Sequence, residues 1–215
     1  NYQIYILFEK LKSPDAGVVK DTVTKLGLSG DKRVLTALEN TLIHADGAVR
    51  KASFDSILKL KDLDTLKRIL TRPEVEPDFR EQTARTLMAE ADPPTAQIGL
   101  RYLLTEASDQ GALDALDVIQ MRTYVDMAAD LVALYPSGSV AIAGKAIDVT
   151  GALKLVAQIP DLAQASKRAE LTEKSRGAIS ALIATLSLER IVELASDPEL
   201  IVRELALRGG TQYVT

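Results

Sequence analysis

Residues Asp46 to Leu60, DGAVRKASFDSILKL, set the frame for the whole chain: a turn followed by an amphipathic helix, in a pattern that returns about every thirty residues. From Val49, the apolar residues Phe54, Ile57 and Leu58 fall on one side of a helix of about 3.6 residues per turn. Moving back along the chain, Val18, Val23 and Leu26 occupy the same register; moving forward, Phe79, Ala84, Leu87 and Met88 do. Weaker echoes begin at Leu113 (with Val118 and Met121), Ala141 (with Ala146 and Val149), Ser175 (with Ile179 and Ile183) and Val202. Between these helices lies a second apolar set: Leu35, Leu38 and Leu42, then Leu66, Ile69 and Leu70, then Ile98, Leu100 and Leu103. The unit is helix, turn, helix. A hairpin this small cannot bury both of its apolar stripes, so neighbours must stack and share a core. The pattern predicts an all-α fold, a right-handed α-solenoid of about six to seven antiparallel helical hairpins, with residues 1–215 forming one repeat domain.

The punctuation agrees with that expectation. All eight prolines fall where helices are expected to start or where turns join them, places at which a missing N–H and a fixed φ do least harm. Arg72 to Asp78, RPEVEPD, reads as the longest irregular connection. The pattern is weakest from Ala141 to Ala169, where Gly144 and Gly151 interrupt the apolar residues and the repeat is expected to bend. Ile4, Leu7 and Leu11 precede Leu35, Leu38 and Leu42 by one period, so the opening segment reads as the second helix of a repeat. At the other end, Asp197-Pro198 starts a helix that closes at Gly209-Gly210. Both ends read as cut from a longer solenoid or multidomain protein, and apolar surface left there would let the fragment self-associate.

Asp46 with Val49-Arg50, and Asp197-Pro198 followed by Val202-Arg203-Glu204-Leu205-Ala206, resemble the first helix of HEAT repeats, with Asp15/Val18 and Asp78/Phe79-Arg80 as degenerate copies. As a pattern the resemblance spans nearly the whole chain. It implies that Asp46, Arg50, Asp78, Arg80, Asp197 and Arg203 are structural, forming a ladder along the inter-repeat turns. It also implies a scaffold or adaptor, although fold alone does not imply function. Independently, a carboxylate at a helix start offsets unsatisfied N–H groups and the helix dipole.

The sequence offers little chemistry. It has no cysteine, which excludes disulfides, thiolate catalysis and cysteine-ligated zinc. Its single histidine, His44, falls in an inter-helix turn and reads as a solvated turn residue. No phosphate-binding glycine loop or calcium loop occurs, and no catalytic, metal or cofactor site is expected. No run approaches the ~20 apolar residues of a membrane span, and no signal peptide is recognisable, so the expected setting is soluble, intracellular or periplasmic.

Charge is distributed unevenly. Residues 109–161 hold seven acidic side chains against three basic ones, a balance equal to the formal net charge of −4. Residues 50–85 hold nine basic against seven acidic. The leading reading is a non-catalytic protein-binding scaffold that uses the face of the second helices, with Asp114, Asp117, Asp126 and Asp130 as candidate partner contacts. Two rivals stand behind it. One is a nucleic-acid-binding module using Lys59, Lys61, Lys67, Arg68 and Arg72, disfavoured by the acidic balance and the scarcity of aromatic residues to stack on bases. The other is a HEAT-type enzyme subunit of the bilin lyase kind, whose activity would sit with a partner chain.

Overall fold

The computed structural model describes residues 2–211, apart from the side chain of Tyr2, and over them the chain is all-helical, with fourteen α-helices and four 3-10 turns. Asn1 and residues 212–215 lie outside this description. The chain divides into two compact units, residues 1–103 and 104–215. The first contains α1 (Tyr2–Lys10), α2 (Ala16–Leu28), α3 (Leu35–Thr41), α4 (Gly47–Leu60), α5 (Leu63–Leu70), α6 (Pro77–Met88) and most of α7 (Pro93–Thr105). The second contains α8 (Asp109–Met121), α9 (Ala128–Ser137), α10 (Val140–Ala152), α11 (Ile159–Ala165), α12 (Thr172–Ile183), α13 (Leu188–Leu194) and α14 (Leu200–Gly210). From α2 to α14, every other helix starts about 31 residues after the last, with a shorter final step. The architecture is an α-solenoid of repeated helical hairpins.

Local chemistry fixes the helix starts. Asp15 accepts from the N–H groups of Gly17 and Val18, Asp46 from those of Ala48 and Val49, and Asp62 from that of Thr65. Ser108, Ser139 and Ser187 cap α8, α10 and α13 in the same way. Each such cap is worth about 1 kcal/mol.

The first helices stack on one another: α2 on α4 in the first unit, and α8, α10, α12 and α14 in series in the second. Each second helix lies most closely on the first helix of the following repeat: α3 on α4, α5 on α6, α9 on α10, α11 on α12, α13 on α14. The more closely packed pair is therefore a second helix with the next first helix. The sequence pattern instead suggested pairing a first helix with the second helix that follows it. From α8 to α11 the turns account for the difference. Between α8 and α9, Thr123 takes a left-handed φ of 57°, the Tyr124 N–H donates to the Ile119 carbonyl (3.0 Å) and that of Val125 to the Thr123 carbonyl (2.9 Å). One repeat later Lys154 (φ 56°), Leu155 and Val156 reproduce the bonds, to Thr150 and Lys154. A 3-10 turn follows each, so first and second helices are spread apart, whereas α9 and α10 are separated only by Gly138 and Ser139. Gly30 (φ 69°) and Lys61 (φ 47°) hold the left-handed position in the first unit.

The core follows the expected stripes, with specific corrections. Val49, Phe54 and Ile57 are fully buried, as are Leu38, Leu42, Leu66 and Ile69, each contributing about 1.5–3 kcal/mol of hydrophobic stabilisation. Phe54 and Phe79, from adjacent repeats, stack with ring centroids 4.6 Å apart. Ser175, Ile179 and Ile183 are buried, as is Val202. In α8, however, the buried stripe is Ala112, Ala115, Leu116 and Ile119, whereas Leu113 and Val118 are only half-buried and Met121 is exposed. Small alanines form that stripe because neighbouring helices approach closely, and a reading weighted by side-chain size passes over them. Val18 and Ile98 are partly exposed beside their buried neighbours Val19, Gln97 and Gly99, and Ala141 is exposed beside Ile142, each a one-residue rotation of the expected face.

Two further expectations change. α10 runs uninterrupted through Gly144 and Gly151. A Cβ at Gly144 would lie 3.0 Å from the Lys174 side chain, and one at Gly151 3.6 Å from that of Ala178, so these glycines mark the crossing of α10 and α12. Pro136 sits inside the last turn of α9, where its missing N–H costs only one bond at a helix end. Residues 71–76 form the longest α-helix connection without a 3-10 turn, as Arg72 to Asp78 suggested.

Candidate functional site

The site that stands out lies in the second unit, where α9 and α11, both second helices, enclose a groove of about 560 Å³. Val132, Tyr135 and Pro136 come from α9, and Asp161, Ala165 and Arg168 from α11 and the turn after it. Residues 161 and 165 follow helical spacing on one side of α11, Arg168 stands in extended backbone in the turn after it, and 132, 135 and 136 share one side of α9. One wall is thus a helical stripe and the other a helix with the turn that follows it.

Three interactions hold the groove in shape. Arg168 donates through Nη1 to the carbonyls of Tyr135 (2.9 Å) and Gly138 (3.0 Å), tying the end of α9 to the turn after α11. A guanidinium there also suits the negative end of the α9 dipole. The Tyr135 ring is buried, and its hydroxyl is 2.6 Å from Thr150 Oγ1, which donates to the Ala146 carbonyl. Burial pushes the Tyr135 phenol up to about 12, against the opposing effect of the Thr150 hydrogen bond. Lys167 donates to Gln164 (2.8 Å) and Glu199 (3.1 Å), bordering the groove with an ion pair. Finally, Pro136 cannot donate to the Val132 carbonyl, which leaves that acceptor without its α-helical partner in the groove wall. A second groove, of about 420 Å³, lies along α9 beside Asp130, Leu134 and Ile142.

The four candidate acids do not form one patch. Asp114 and Asp117 stand on α8, a first helix; Asp126 is in the 3-10 turn before α9, and Asp130 in the first turn of α9. Asp114 accepts from Gln110 (2.8 Å), and Asp117 pairs with Lys145 (2.6 Å). Asp148–Lys174 (2.5 Å) and Arg176–Glu204 (3.3 Å) continue the series, so ion pairs link α8, α10, α12 and α14. The lysines among them offset acids on the first helices, while Asp126, Asp130 and Asp161 belong to the second-helix elements.

The five candidate bases are also dispersed. Lys59 is on α4 and Lys61 is the left-handed residue after it. Lys67 pairs with Asp64 (3.9 Å), Arg68 with Glu39 (2.6 Å), and Arg72 with Glu74 (2.8 Å) while donating to the Glu39 carbonyl (3.2 Å). Glu39 thus ties α3 to α5 and to the turn that follows.

The repeat-turn residues divide by role. Asp46 is a cap, but Asp78 is the second residue of α6, and Asp197 bonds the Glu199 N–H (2.9 Å) two residues before α14. Pro77 is itself the first residue of α6, whereas Pro198 lies before α14, whose N-cap position is taken by Glu199. Arg80 donates to the Val75 carbonyl (3.2 Å) and lies 5.9 Å from the centre of the Tyr102 ring. His44 is half-buried, not simply solvated: its Nδ1 accepts from the Asp46 N–H (3.0 Å) and its carbonyl accepts from Arg50. Asp161, Arg168 and Pro136 were not singled out by sequence, because none recurs with the repeat. Among the described residues no group of three or more acidic or histidine side chains is placed to hold a metal ion, and no helix is long and apolar enough to cross a membrane.

No protein-family model matches the chain. No curated protein matches it. Among solved structures, it aligns with an engineered protein at 15% identity, covering 97% of this chain and 95% of the other with a TM-score of 0.28. It also aligns with a designed armadillo repeat protein at 14% identity, covering 95% and 97% with a TM-score of 0.27. At those scores the fold assignment rests on the chain's own helices: a helical-repeat protein of the α-solenoid class.

Proposed function

We propose that this chain is a non-catalytic protein-protein interaction scaffold or adaptor, and that a protein partner docks on its second-helix surface. The observation that carries the reading is the α9–α11 groove: a largely apolar site, lined also by Asp161, Lys167 and Arg168, with the buried Tyr135 ring in its wall. Asp126 and Asp130, on the turn and helix that form one wall, supply electrostatic complementarity to a basic partner segment. The HEAT-like assignment belongs to the same proposal and is supported by the arginines that close the repeat turns, Arg50 and Arg203. Nucleic-acid binding receives no such support, since three of its five candidate bases are already paired with carboxylates.

The test is photo-crosslinking in native lysate, with and without nuclease, using a crosslinking residue at Gln164 on α11 or at Lys51 on α4. A protein captured from Gln164, insensitive to nuclease and reduced by Asp130→Lys, supports the scaffold. Capture of nucleic acid alone, or of nothing from any second-helix position, overturns it.

A further inference from the structure

Two first helices leave open a side that other repeats cover. In α2, a Cβ at Gly27 would meet the Ser56 side chain of α4, and Val18, nine residues earlier, stands on the opposite side of the helix. Val18 is 38% exposed, although Val49, its equivalent one repeat later, is fully buried. Two turns on from Val18, Lys25 borders a groove of about 480 Å³ lined by Ile4, Leu7 and Leu28. Ile4 and Leu7 are only half-buried there, whereas Leu35 and Leu38, one period later, are buried. In α14, a Cβ at Gly209 would lie 3.0 Å from Ile183 of α12, and Leu207 stands about 160° around the helix from it. Leu207 is thus turned away from α12 and is 61% exposed.

The step from α4 to α6 shows what such a pair of sides can bind. Arg50 pairs with Glu76 at the N-cap of α6, and Phe54, four residues after Arg50, stacks on Phe79, three residues after Glu76. In α14 the corresponding residues are Arg203, which closes its turn through Nη1 as Arg50 does, and Leu207, four residues on. In α2 they are Asp15, at the N-cap, and Val18, three residues after it. One side thus carries a cation and a leucine, the other a carboxylate and a valine, at the spacing that joins neighbouring repeats. Asp15 caps α2 through Oδ1, which leaves Oδ2 to accept from a guanidinium.

We propose that α14 of one copy docks on α2 of a second copy of this chain, with Arg203 on Asp15 and Leu207 on Val18, so that the stack of first helices passes from one molecule into the next. Each copy offers a different surface to each neighbour. The contact is therefore heterologous, and association runs on into a chain of copies or closes a ring. It uses none of the residues that line the α9–α11 groove and stands independently of the scaffold reading.

The test is sedimentation velocity of the full chain over a concentration series, with Val18→Glu and Leu207→Glu each spoiling one side of the contact. The parent should grow past the dimer as concentration rises, and each variant alone should stay monomeric. Mixed in equal amounts, the two variants should form a heterodimer and nothing larger, because one keeps its α14 side and the other its α2 side. That recovery cannot come from misfolded protein. Adding Asp15→Asn to the Leu207→Glu variant keeps an N-cap residue and removes the charge, and should weaken the heterodimer about fivefold. A parent that stays monomeric at millimolar concentration overturns the proposal, as does association that stops at a dimer and ignores Val18→Glu. So does a mixture that remains monomeric while both variants give the parent's circular dichroism spectrum, or a heterodimer that Asp15→Asn leaves unchanged.

Discussion

Arg203 donates through Nη1 to the carbonyls of Pro198 and Asp197, at the same backward offsets of five and six residues at which Arg50 donates to Ala45 and His44. The two arginines belong to different units and share this geometry because each closes the turn entering a first helix. Arg50 also pairs with Glu76 in the next repeat. A guanidinium suits the position because one planar nitrogen can serve two carbonyls while the others reach a carboxylate.

Replacing Arg50 or Arg203 with alanine should therefore destabilise the protein by about 1–2 kcal/mol, the value of charge-assisted bonds to partly buried carbonyls. Arg50→Lys should recover less than half of the loss, since lysine lacks the fork. Urea unfolding with unchanged m-values would measure both. An Arg203→Ala variant as stable as the parent would show that the shared geometry carries no energy.

Two glycines are required by close approach. A Cβ at Gly27 would overlap the Ser56 side chain, and one at Gly99 would overlap the Ala84 carbonyl and lie 2.7 Å from the Met88 nitrogen. Gly99→Ala should cost about 3 kcal/mol because the opposing atoms are backbone, and Gly27→Ala about 1–2 kcal/mol because a side chain can move. By contrast Gly177, inside α12 with nothing within 4 Å of its Cβ position, should gain about 0.5–1 kcal/mol on substitution with alanine. Thermal melts of the three variants would rank them.

Thr123 and Lys154 hold left-handed backbone at equivalent turns. That conformation costs a non-glycine residue about 1–2 kcal/mol, part of which glycine returns as unfolded-chain entropy. Thr123→Gly and Lys154→Gly should each stabilise the second unit by about 0.5–1 kcal/mol. β-Branched Thr123 should show the larger gain, read as an upward shift in Tm.

Acid should weaken the protein through its exposed caps. Arg33, by side-chain and backbone hydrogen bonds, holds Asp31 at about 2; Lys32 and then Thr65 lower Asp62; Thr95 lowers Asp92; Lys167 and then Gln164 lower Glu199. Each folded pKa lies below its unfolded value of about 4, so the contribution is fully present above that pH and is lost as pH falls toward the folded value. Tm should stay level from neutral to about pH 5 and drop between about pH 4 and 2, with each group adding little because solvent screens it. Asp62→Asn should lower Tm at neutral pH, and its deficit against the parent should shrink as pH falls below the unfolded value of about 4. A deficit that persists at low pH would assign the effect of Asp62 to shape and not to charge.

Sequence alone determined the helical repeat, because periodic burial of Val49, Phe54 and Ile57 and Asp or Ser caps at helix starts are local properties written into residue order. It also located the prolines and the connection after α5. Tertiary structure decided what spacing cannot express. It rotated the buried face of α8 onto Ala112, Ala115 and Leu116, since close packing of neighbouring helices selects small residues that a hydrophobicity pattern undervalues. It showed that Asp117 meets Lys145 and that Glu39 gathers Arg68 and Arg72 across a period, pairings that exist only once repeats stack. And it assembled the α9–α11 groove from Val132, Pro136, Asp161 and Arg168, which do not recur with the repeat, because a site built between two second helices depends on which side chains stacking brings face to face.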